Sequence, residues 1–221
     1  MSKVIIYGNS SMAAIVVEYL EQCPDHEVVA YTQESEYCTE PIFEGKPLVP
    51  LKNLPTQFPK ESHVILVLTT FGLKNPRHRK KEVCSSIKSM GYSLFSFIDS
   101  NAFVAKSAKI GENVVVLRGC TVEPKAELSD GVFLRPDVYV SHESKIGEYT
   151  YVAPRACIAG RVKVGAFCFI GVNSTIRDTI SVGNNAIVGA GAIVLKSVPD
   201  FGVIKGATGT LLDKDSSHFN V

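Results

Sequence analysis

An aliphatic residue occupies every sixth position over a long stretch of the chain, from residue 98 to residue 194. All seventeen positions hold valine, isoleucine or leucine, and no insertion breaks the spacing: Ile98, Val104, Ile110, Val116, Val122, Leu128, Leu134, Val140, Ile146, Val152, Ile158, Val164, Ile170, Ile176, Val182, Val188 and Val194. A fixed six-residue period is typical of a β-helix built from hexapeptide repeats. The alternative is a β-sandwich of alternating strands, which would not keep a period of six without slipping.

A small or β-branched residue lies two positions before each of these aliphatic residues, as Ala126 does before Leu128. Residues two apart in a strand share a face, so both members of each pair are expected to point into the core. The other residues of each hexad would turn a corner, and glycines after the aliphatic position, such as Gly147 and Gly165, suit a bend there. Three strands and three corners then make one coil of eighteen residues.

Apolar strands alternate with helical patterns in the N-terminal part of the chain. Strands are expected at residues 3–7, 27–31, 63–68 and 92–97, and helices at residues 12–21 and 76–90. This alternation predicts a small parallel sheet of the Rossmann-like α/β type. We therefore expect an α/β domain over residues 1–95, a β-helix domain over residues 96–198, and a C-terminal cap and loose tail over residues 199–221.

Ligands of parallel α/β sheets bind beyond the carboxyl ends of the strands. Those ends supply the candidate substrate-binding residues of this domain: Gly8, Asn9, Ser10, Ser11, Thr32, Thr69, Thr70 and Phe71. The loop after the first strand has one glycine where the dinucleotide fingerprint GxGxxG has three, which argues against a nicotinamide enzyme. A mononucleotide or nucleotide-sugar pocket and a purely structural cap both remain open.

Two further segments of this domain have a distinctive composition. The basic run at residues 77–81 opens the second predicted helix, where cations oppose the helix dipole. An anionic ligand would relieve that opposition, and a solvated helical face is the alternative. The proline-rich stretch over residues 51–59 predicts a loop outside the core.

The composition narrows the choice of partner and compartment. A formal net charge of +1 gives no electrostatic reason to expect nucleic acid or an anionic membrane surface as a partner. No apolar run approaches the roughly 18 residues of a membrane-spanning helix, so membrane insertion is not expected. The six cysteines form no CxxC pair, and a soluble, reduced, cytoplasmic protein is the expectation.

His142 is the only histidine of the repeat region and is predicted to lie at a corner of the β-helix. Lys125 and Arg161 lie one coil to either side of its neighbour Glu143, and would keep that carboxylate ionised. Gly160, one coil after His142, would leave space there for a ligand. Histidine can remove the proton of an attacking amine or hydroxyl near neutral pH, and backbone N–H groups on the same edge could hold a developing oxyanion. A lone surface histidine is usually inert, and one imidazole is too few for a zinc hydratase site, so no metal is expected.

The sequence around this histidine resembles the hexapeptide-repeat sugar acyltransferases. Residues 142–154 (HESKIGEYTYVAP) followed by Ala159-Gly160 match the HExxIGxxxxVxP…AG pattern of that family, and FIGVNS at residues 169–174 matches a second shared stretch. The chain is similar over its whole length to bacterial nucleotide-sugar N-acetyltransferases of the PglD and perosamine N-acetyltransferase type, relatives of the sialic acid O-acetyltransferases.

The resemblance implies a homotrimer of left-handed β-helices, with active sites between neighbouring subunits. It implies direct transfer of an acetyl group from acetyl-CoA to the amino group of a nucleotide-linked sugar, with His142 as general base and Glu143 as its helper. The acetyl-CoA-binding residues that it implies are Tyr151, Gly160, Arg161, Gly171, Ala190, Gly191 and Lys205. The alternatives are O-acetylation of a sugar hydroxyl and a non-catalytic trimer that binds a nucleotide sugar.

The chain departs from the family pattern at several positions. Tyr151 replaces a histidine that contacts the acetyl donor in a relative. Arg135 replaces a smaller polar residue near the acceptor, joins the substrate-binding residues, and would change sugar specificity. Residues 202–207 have the sequence GVIKGA where the family commonly has GVPAK at the CoA adenine.

Overall fold

A computed structural model describes residues 1–68 and 76–209, which form an α/β sheet followed by a left-handed parallel β-helix. This confirms the fold class expected from the sequence. The elements before the β-helix are β1 (Ser2–Tyr7), α1 (Ser11–Glu21), β2 (His26–Gln33), β3 (Ile42–Phe43), β4 (Lys46–Pro50), α2 (Leu54–Gln57), β5 (His63–Val67), α3 (Pro76–Ser89) and β6 (Ser93–Leu94), with short 3-10 turns at Ser35–Tyr37 and Leu51–Asn53.

The N-terminal sheet has the strand order β3-β4-β2-β1-β5-β6. All neighbouring strands are parallel except β3 and β4, which form an antiparallel hairpin. The central strand β1 is buried on both faces: Val4 and Ile6 pack in the cluster that contains α1, and Ile5 packs in the cluster that contains α3. The sheet therefore lies between the two helices, as the alternation of strands and helices predicted.

The proline-rich stretch over residues 51–59 is not a loop outside the core, so that expectation is wrong. Leu51 and Leu54 are 6% and 0% exposed and pack in the α3 cluster. The prolines are compatible with this because the segment forms only short helical turns, with Pro55 in the first turn of α2 where a backbone N–H is not required. The hairpin β3–β4 was not predicted either, since each of its strands is short.

The β-helix consists of three parallel sheets of two-residue strands, which form the three faces of a prism. The first face holds Phe97–Ile98, Val115–Val116, Phe133–Leu134, Tyr151–Val152, Phe169–Ile170, Ile187–Val188 and Val203–Ile204; the second face holds Phe103–Val104, Thr121–Val122, Tyr139–Val140, Cys157–Ile158, Thr175–Ile176 and Ile193–Val194; the third face holds Lys109–Ile110, Glu127–Leu128, Lys145–Ile146, Lys163–Val164 and Ser181–Val182. Every periodic aliphatic residue is the second residue of its strand. From Ile98 to Ile176 each pairs with the residue eighteen positions later, as Val140 does with Ile158, whereas Val188 pairs with Ile204, sixteen positions later.

The glycines that follow the aliphatic positions have a different cause from the expected one. Gly147 does not adopt the left-handed conformation, which falls instead on residues such as Glu143 and Tyr149, with φ angles of 59° and 54°. A Cβ on Gly147 would lie 2.6 Å from the backbone nitrogen of Ala166 in the next coil. Glycine is required there because stacked coils approach closely, and the explanation by bending is wrong.

The three faces have different surroundings. The N-terminal domain covers the first face, where Val115 and Phe133 join the α1 cluster. The outward strand positions of the third face are mostly charged: Lys109, Glu127, Lys145, Lys163 and Ser181. Those of the second face carry no charge: Phe103, Thr121, Tyr139, Cys157, Thr175 and Ile193. Phe103 and Ile193 are 59% and 70% exposed, so this face has an uncovered apolar surface.

The basic run at the start of α3 packs partly against the β-helix, so a purely solvated face is only partly correct: Lys80 is buried, whereas Lys81 is 50% exposed. The ammonium of Lys80 is buried and donates a hydrogen bond to the carbonyl oxygen of Gly131 at 2.9 Å. Lys81 forms an ion pair with Glu148 at 2.9 Å, and the ring of His78 stacks on a β-helix phenylalanine at a centroid distance of 4.0 Å. The basic side chains therefore join the two domains.

A buried asparagine fixes the same junction. Asn113, at a corner of the β-helix, accepts a hydrogen bond from the Val67 N–H at 2.8 Å and donates one to the Val67 carbonyl oxygen at 3.1 Å. The amide thus satisfies both backbone groups of the last residue of β5. The strand end that precedes the predicted cleft is held directly by the β-helix.

Candidate active site

His142 lies at the corner between the second and third faces of the β-helix, after the strand Tyr139–Val140. Its side chain is 48% exposed. The imidazole lies against the backbone of Gly160 in the next coil: a Cβ on that glycine would be 2.6 Å from Nε2 and 2.9 Å from Cε1. The absence of a side chain at Gly160 therefore makes room for the histidine ring, where the sequence had suggested room for a ligand.

Glu143 adopts the left-handed conformation, with a φ angle of 59°, and its Oε2 lies 3.3 Å from His142 Nδ1. In the tautomer that has its proton on Nδ1, His142 donates to this carboxylate and Nε2 is left as the basic nitrogen. Within residues 1–68 and 76–209, Nε2 has no protein partner, and neither Lys125 nor Arg161 forms an ion pair with Glu143. The coil register does place Lys125 and Arg161 on either side of Glu143, as the spacing predicted, but without an ion pair to its carboxylate.

Glu123 was not identified from the sequence, although it contacts the histidine directly. Its Oε2 accepts hydrogen bonds from the Ser141 hydroxyl at 2.6 Å and from the His142 N–H at 2.8 Å, and its Oε1 accepts one from the Tyr139 hydroxyl at 2.5 Å. These bonds, that from Ser141 foremost, lower the pKa of the Glu123 carboxyl. The signal was available, because eighteen residues separate Glu123 from Ser141 and one coil therefore places them side by side.

The backbone N–H groups at this corner differ in whether they already have a hydrogen-bond acceptor. The N–H of His142 is engaged by Glu123 and is not free to bind a ligand. The N–H of Gly160 donates to no acceptor in the described part of the chain, whereas that of Arg161 donates to the His142 carbonyl oxygen at 3.0 Å. Gly160 thus offers a backbone donor beside the imidazole.

The other residues expected at acetyl-CoA lie mostly on a different edge. Gly171, Ala190, Gly191 and Lys205 follow consecutive strands of the first face, so they line the edge between the first and second faces. A cavity of about 490 Å³ opens there, lined by Gly191, Ile193, Lys205, Gly206, Ala207 and Thr208. Gly160 and Arg161 lie instead on the edge of His142. Within one chain, the residues expected to bind acetyl-CoA therefore lie mostly on the two separate edges that bound the second face.

Arg135 and Tyr151 lie beside the N-terminal domain. The Nη1 of Arg135 donates to the Tyr151 hydroxyl at 3.2 Å and approaches the sulfur of Met12, in the first turn of α1, at 3.0 Å. The Nε of Arg135 is buried and has no acceptor among the described residues. Burial raises the pKa of Tyr151, against the effect of the neighbouring Arg135, so its hydroxyl remains protonated. The structure thus places these two residues next to the loop that starts α1.

That loop contains most of the described residues expected at the substrate. The Ser10 hydroxyl accepts the Ala13 N–H and caps α1, and the side-chain amide of Asn9 donates to the Tyr37 carbonyl oxygen at 2.9 Å. Gly8 has a φ angle of 125°, and a Cβ on it would overlap the Leu68 carbonyl oxygen. Thr32 is fully buried beneath this loop. Thr69, Thr70 and Phe71, like the tail from residue 210 onward, lie outside the described residues.

The described residues contain neither a metal-binding cluster nor a membrane-spanning helix. No group of three or more His, Cys, Asp or Glu side chains converges there at a spacing suited to a metal ion. No helix in residues 1–68 and 76–209 is long and apolar enough to cross a membrane.

Comparisons with known proteins match this architecture. A family model described as the hexapeptide repeat of succinyl-transferase matches residues 161–196, and no curated protein matches the chain significantly. Among solved structures, PerB from Caulobacter crescentus in complex with CoA and GDP-perosamine is 25% identical, with a TM-score of 0.80 over 92% of this chain and 93% of that one.

Two other structures show the same fold at lower identity. The acetyltransferase domain of PglB from Neisseria gonorrhoeae is 22% identical, with a TM-score of 0.80 over 93% of this chain and 97% of that one. WeeI from Acinetobacter baumannii is 18% identical, with a TM-score of 0.68 over the same shares. In its hexapeptide repeats and its two-part fold, the chain resembles the hexapeptide-repeat acyltransferases, and among them the bacterial nucleotide-sugar N-acetyltransferase PerB.

Proposed function

We propose that this enzyme transfers the acetyl group of acetyl-CoA to the amino group of a nucleotide-linked amino sugar, with His142 as the general base. The observation that carries the proposal is the pairing of His142 Nδ1 with Glu143 at 3.3 Å, which leaves Nε2 unpartnered beside the Gly160 backbone. The choice of reactants rests on PerB, which was captured with CoA and GDP-perosamine.

His142 Nε2 accepts the proton of the amine while the amine nitrogen attacks the thioester carbonyl carbon. The carbon–nitrogen bond forms, the carbon–sulfur bond breaks, and the proton passes to the departing CoA thiolate. Glu143 stabilises the imidazolium that forms in between, because its carboxylate accepts the Nδ1–H. The transfer is direct, since in the described residues no thiol or hydroxyl hydrogen-bonds to the His142 imidazole, and the neighbouring Ser141 hydroxyl donates to Glu123 instead.

The Gly160 N–H is placed to bind the carbonyl oxygen of the thioester as negative charge develops on it. It is a fixed backbone donor with no acceptor in the described ranges, and it adjoins the imidazole. A pre-oriented donor of this kind stabilises the transition state more than the ground state. The two protein groups that the reaction needs, a base and an oxyanion donor, therefore come from successive coils of one corner.

A homotrimer would complete this site. His142 and Gly160 lie on one edge of the second face, while Gly171 and Lys205 lie on the other edge. The second face between them is uncharged and exposes Phe103 and Ile193, as expected of a surface that packs against other copies. Three copies joined through these faces would bring the His142 edge of one subunit to the Gly171 edge of its neighbour.

The nucleotide-linked sugar is assigned to the loop that starts α1, with Arg135 beside it. Arg135 forms no ion pair with a carboxylate in the described residues, and Gly8, Asn9, Ser10 and Ser11 surround the N-terminus of an eleven-residue helix. Both features favour an anionic group, which the diphosphate of a nucleotide sugar supplies.

The test is the turnover of His142→Ala and His142→Asn with acetyl-CoA and a panel of UDP-, GDP- and dTDP-linked amino sugars, followed by thiol release and product mass. We expect turnover to fall at least about 10²-fold with CoA binding retained. Structures of the perosamine enzyme with one histidine changed to asparagine or alanine still hold CoA and GDP-perosamine. His63→Ala, a partly exposed histidine of the N-terminal domain, is the matched control. Equal rates in wild type and His142→Ala would refute the base.

The acceptor atom is tested with paired substrates that carry an amino or a hydroxyl group at the same ring position. Thiol release with only the amino sugar supports N-acetylation, and release with only the hydroxyl sugar would establish O-acetylation instead. Binding of the nucleotide sugar without any thiol release would identify a non-catalytic trimer.

Assembly is tested by sedimentation of Ile193→Asp, which places a charge on the second face, against Ser181→Asp on the third face. We expect Ile193→Asp to dissociate into monomers and Ser181→Asp to remain trimeric. A monomeric wild type would refute the shared site.

A further inference from the structure

We infer that Glu123 is a positioning residue for the transfer reaction, and that it holds the His142 main chain so that the imidazole faces the reacting groups. The inference rests on the proposed role of His142 as the base. It concerns a residue that the sequence did not single out and that lies in the coil before the histidine.

The geometry converges on one carboxylate. Three donors from three nearby residues bind it: the Tyr139 hydroxyl at Oε1, and the Ser141 hydroxyl and His142 N–H at Oε2. Bonds of this kind to a charged acceptor are about twice as strong as those between neutral groups. Glu123 therefore connects one coil of the prism to the strand end and the corner that present His142.

The main chain at His142 is held from both sides. Glu123 binds its N–H at 2.8 Å from the preceding coil, and the Arg161 N–H binds its carbonyl oxygen at 3.0 Å from the following coil. The next residue, Glu143, is left-handed with a φ of 59°. The same conformation recurs one coil away at Lys125 and Arg161, with φ angles of 62° and 58°, so the bond from Glu123 restrains the residue that directly precedes a regular corner of the prism.

Ionisation makes Glu123 suited to this task. Its pKa is lowered by the bonds from Ser141, Tyr139 and the His142 N–H, in that order. The carboxylate is therefore still charged where a histidine base works, and it can accept from all three donors at once. A glutamine of the same shape has one oxygen, which could replace Oε2 only as a neutral and weaker acceptor for Ser141 and His142, while its NH₂ in place of Oε1 cannot accept the Tyr139 proton.

The alternative is that Glu123 only stabilises the fold, and the chain offers a matched control for it. Glu127 is a second glutamate, at the outward position of the next strand; it accepts from Lys109 and Lys145 on the third face and has no hydrogen bond to His142. Glu127→Gln removes the same charge from the same prism, one strand further on. The loss of this charge should change neither kcat nor KM.

The experiment compares Glu123→Gln, Glu123→Asp and Glu127→Gln for kcat, KM for both substrates, CoA affinity and melting temperature. We expect kcat of Glu123→Gln to fall about 10- to 100-fold, since a shift of about 1 Å in a catalytic group has an effect of this size. KM and CoA affinity should stay within about twofold, and Glu123→Asp should recover part of the rate. Glu127→Gln should match the wild type.

Two results would overturn the inference. One is a Glu123→Gln enzyme with full kcat and a lower melting temperature, which is the behaviour of a purely structural residue. The other is an unchanged plateau of kcat with a displaced pH profile, which would mean that Glu123 acts through its charge. His142→Ala in the same series separates the two claims: full activity in that variant refutes the base and the positioning role together. An inactive His142→Ala beside a fully active Glu123→Gln refutes the positioning role alone.

Discussion

Gly160→Ala tests the link between the position of the imidazole and the rate of transfer. The new Cβ would lie 2.6 Å from His142 Nε2 and 3.3 Å from Cδ2. Atoms that are not bonded pack at about 3.5 Å, so the ring must withdraw by about 1 Å. A misplacement of about 1 Å costs on the order of 10²-fold in rate, which corresponds to about 2.7 kcal/mol of activation free energy.

The same substitution should leave the fold intact. Gly160 does not have a left-handed φ angle, and the atoms met by the new methyl group belong to the end of a half-exposed side chain. The free energy of unfolding should therefore change by less than about 1 kcal/mol. A loss of rate without a loss of stability is the expected signature.

Gly45→Ala supplies the opposite pattern as a control. Gly45 has a φ of 73°, and no atom lies within 4 Å of the position that a new methyl group would take. Alanine there should destabilise the hairpin by about 1–2 kcal/mol and leave kcat unchanged. The assays are thiol release at saturating substrate and thermal unfolding. A Gly160→Ala enzyme with wild-type kcat would show that the ring position does not control the chemistry, and the assignment of His142 as the base would fail.

Three further predictions concern the domain junction and the coil spacing. Burial lowers the pKa of Lys80 from 10.5 to about 8; between these values the unfolded chain binds more protons than the folded one, so stability rises with pH in that window. Denaturant unfolding from neutral pH to pH 10.5 should show the wild type gaining about 3 kcal/mol relative to Lys80→Met, and parallel pH curves would contradict this. Asn113→Ala should lower the free energy of unfolding by about 2–4 kcal/mol, because the Val67 N–H and carbonyl lose their partners; an unchanged melting temperature would mean that water replaces the amide. Gly147→Ala should lower the free energy of unfolding by about 1–3 kcal/mol, because the new methyl group contacts the next coil. Gly147→Asn should be destabilised at least as much. Wild-type stability in Gly147→Asn would indicate instead that this position requires a left-handed conformation.

The sequence alone determined the β-helix, because its signal is strictly periodic. From Ile98 to Ile176, each periodic aliphatic residue pairs with an equivalent residue eighteen positions later, as Val140 does with Ile158. A shift of one residue would turn every side chain to the wrong side of its strand, so the spacing determines the register. The corner position of His142 follows from the same count.

The tertiary structure decided how the two domains meet and what surrounds the histidine. The basic run of α3 gave no sign of its partner, because Gly131 and Glu148 are distant in sequence and the contacts depend on how the helix lies on the first face. The eighteen-residue spacing places Glu123 beside Ser141, but only the structure shows that its side chain also binds Tyr139 and the His142 N–H. The sequence also suggested that Gly160 leaves space for a ligand. The structure shows that the ring of His142 occupies that space, which depends on the side-chain rotamer. Periodicity determines which residues are neighbours, whereas side-chain direction and domain packing depend on contacts that no local pattern records.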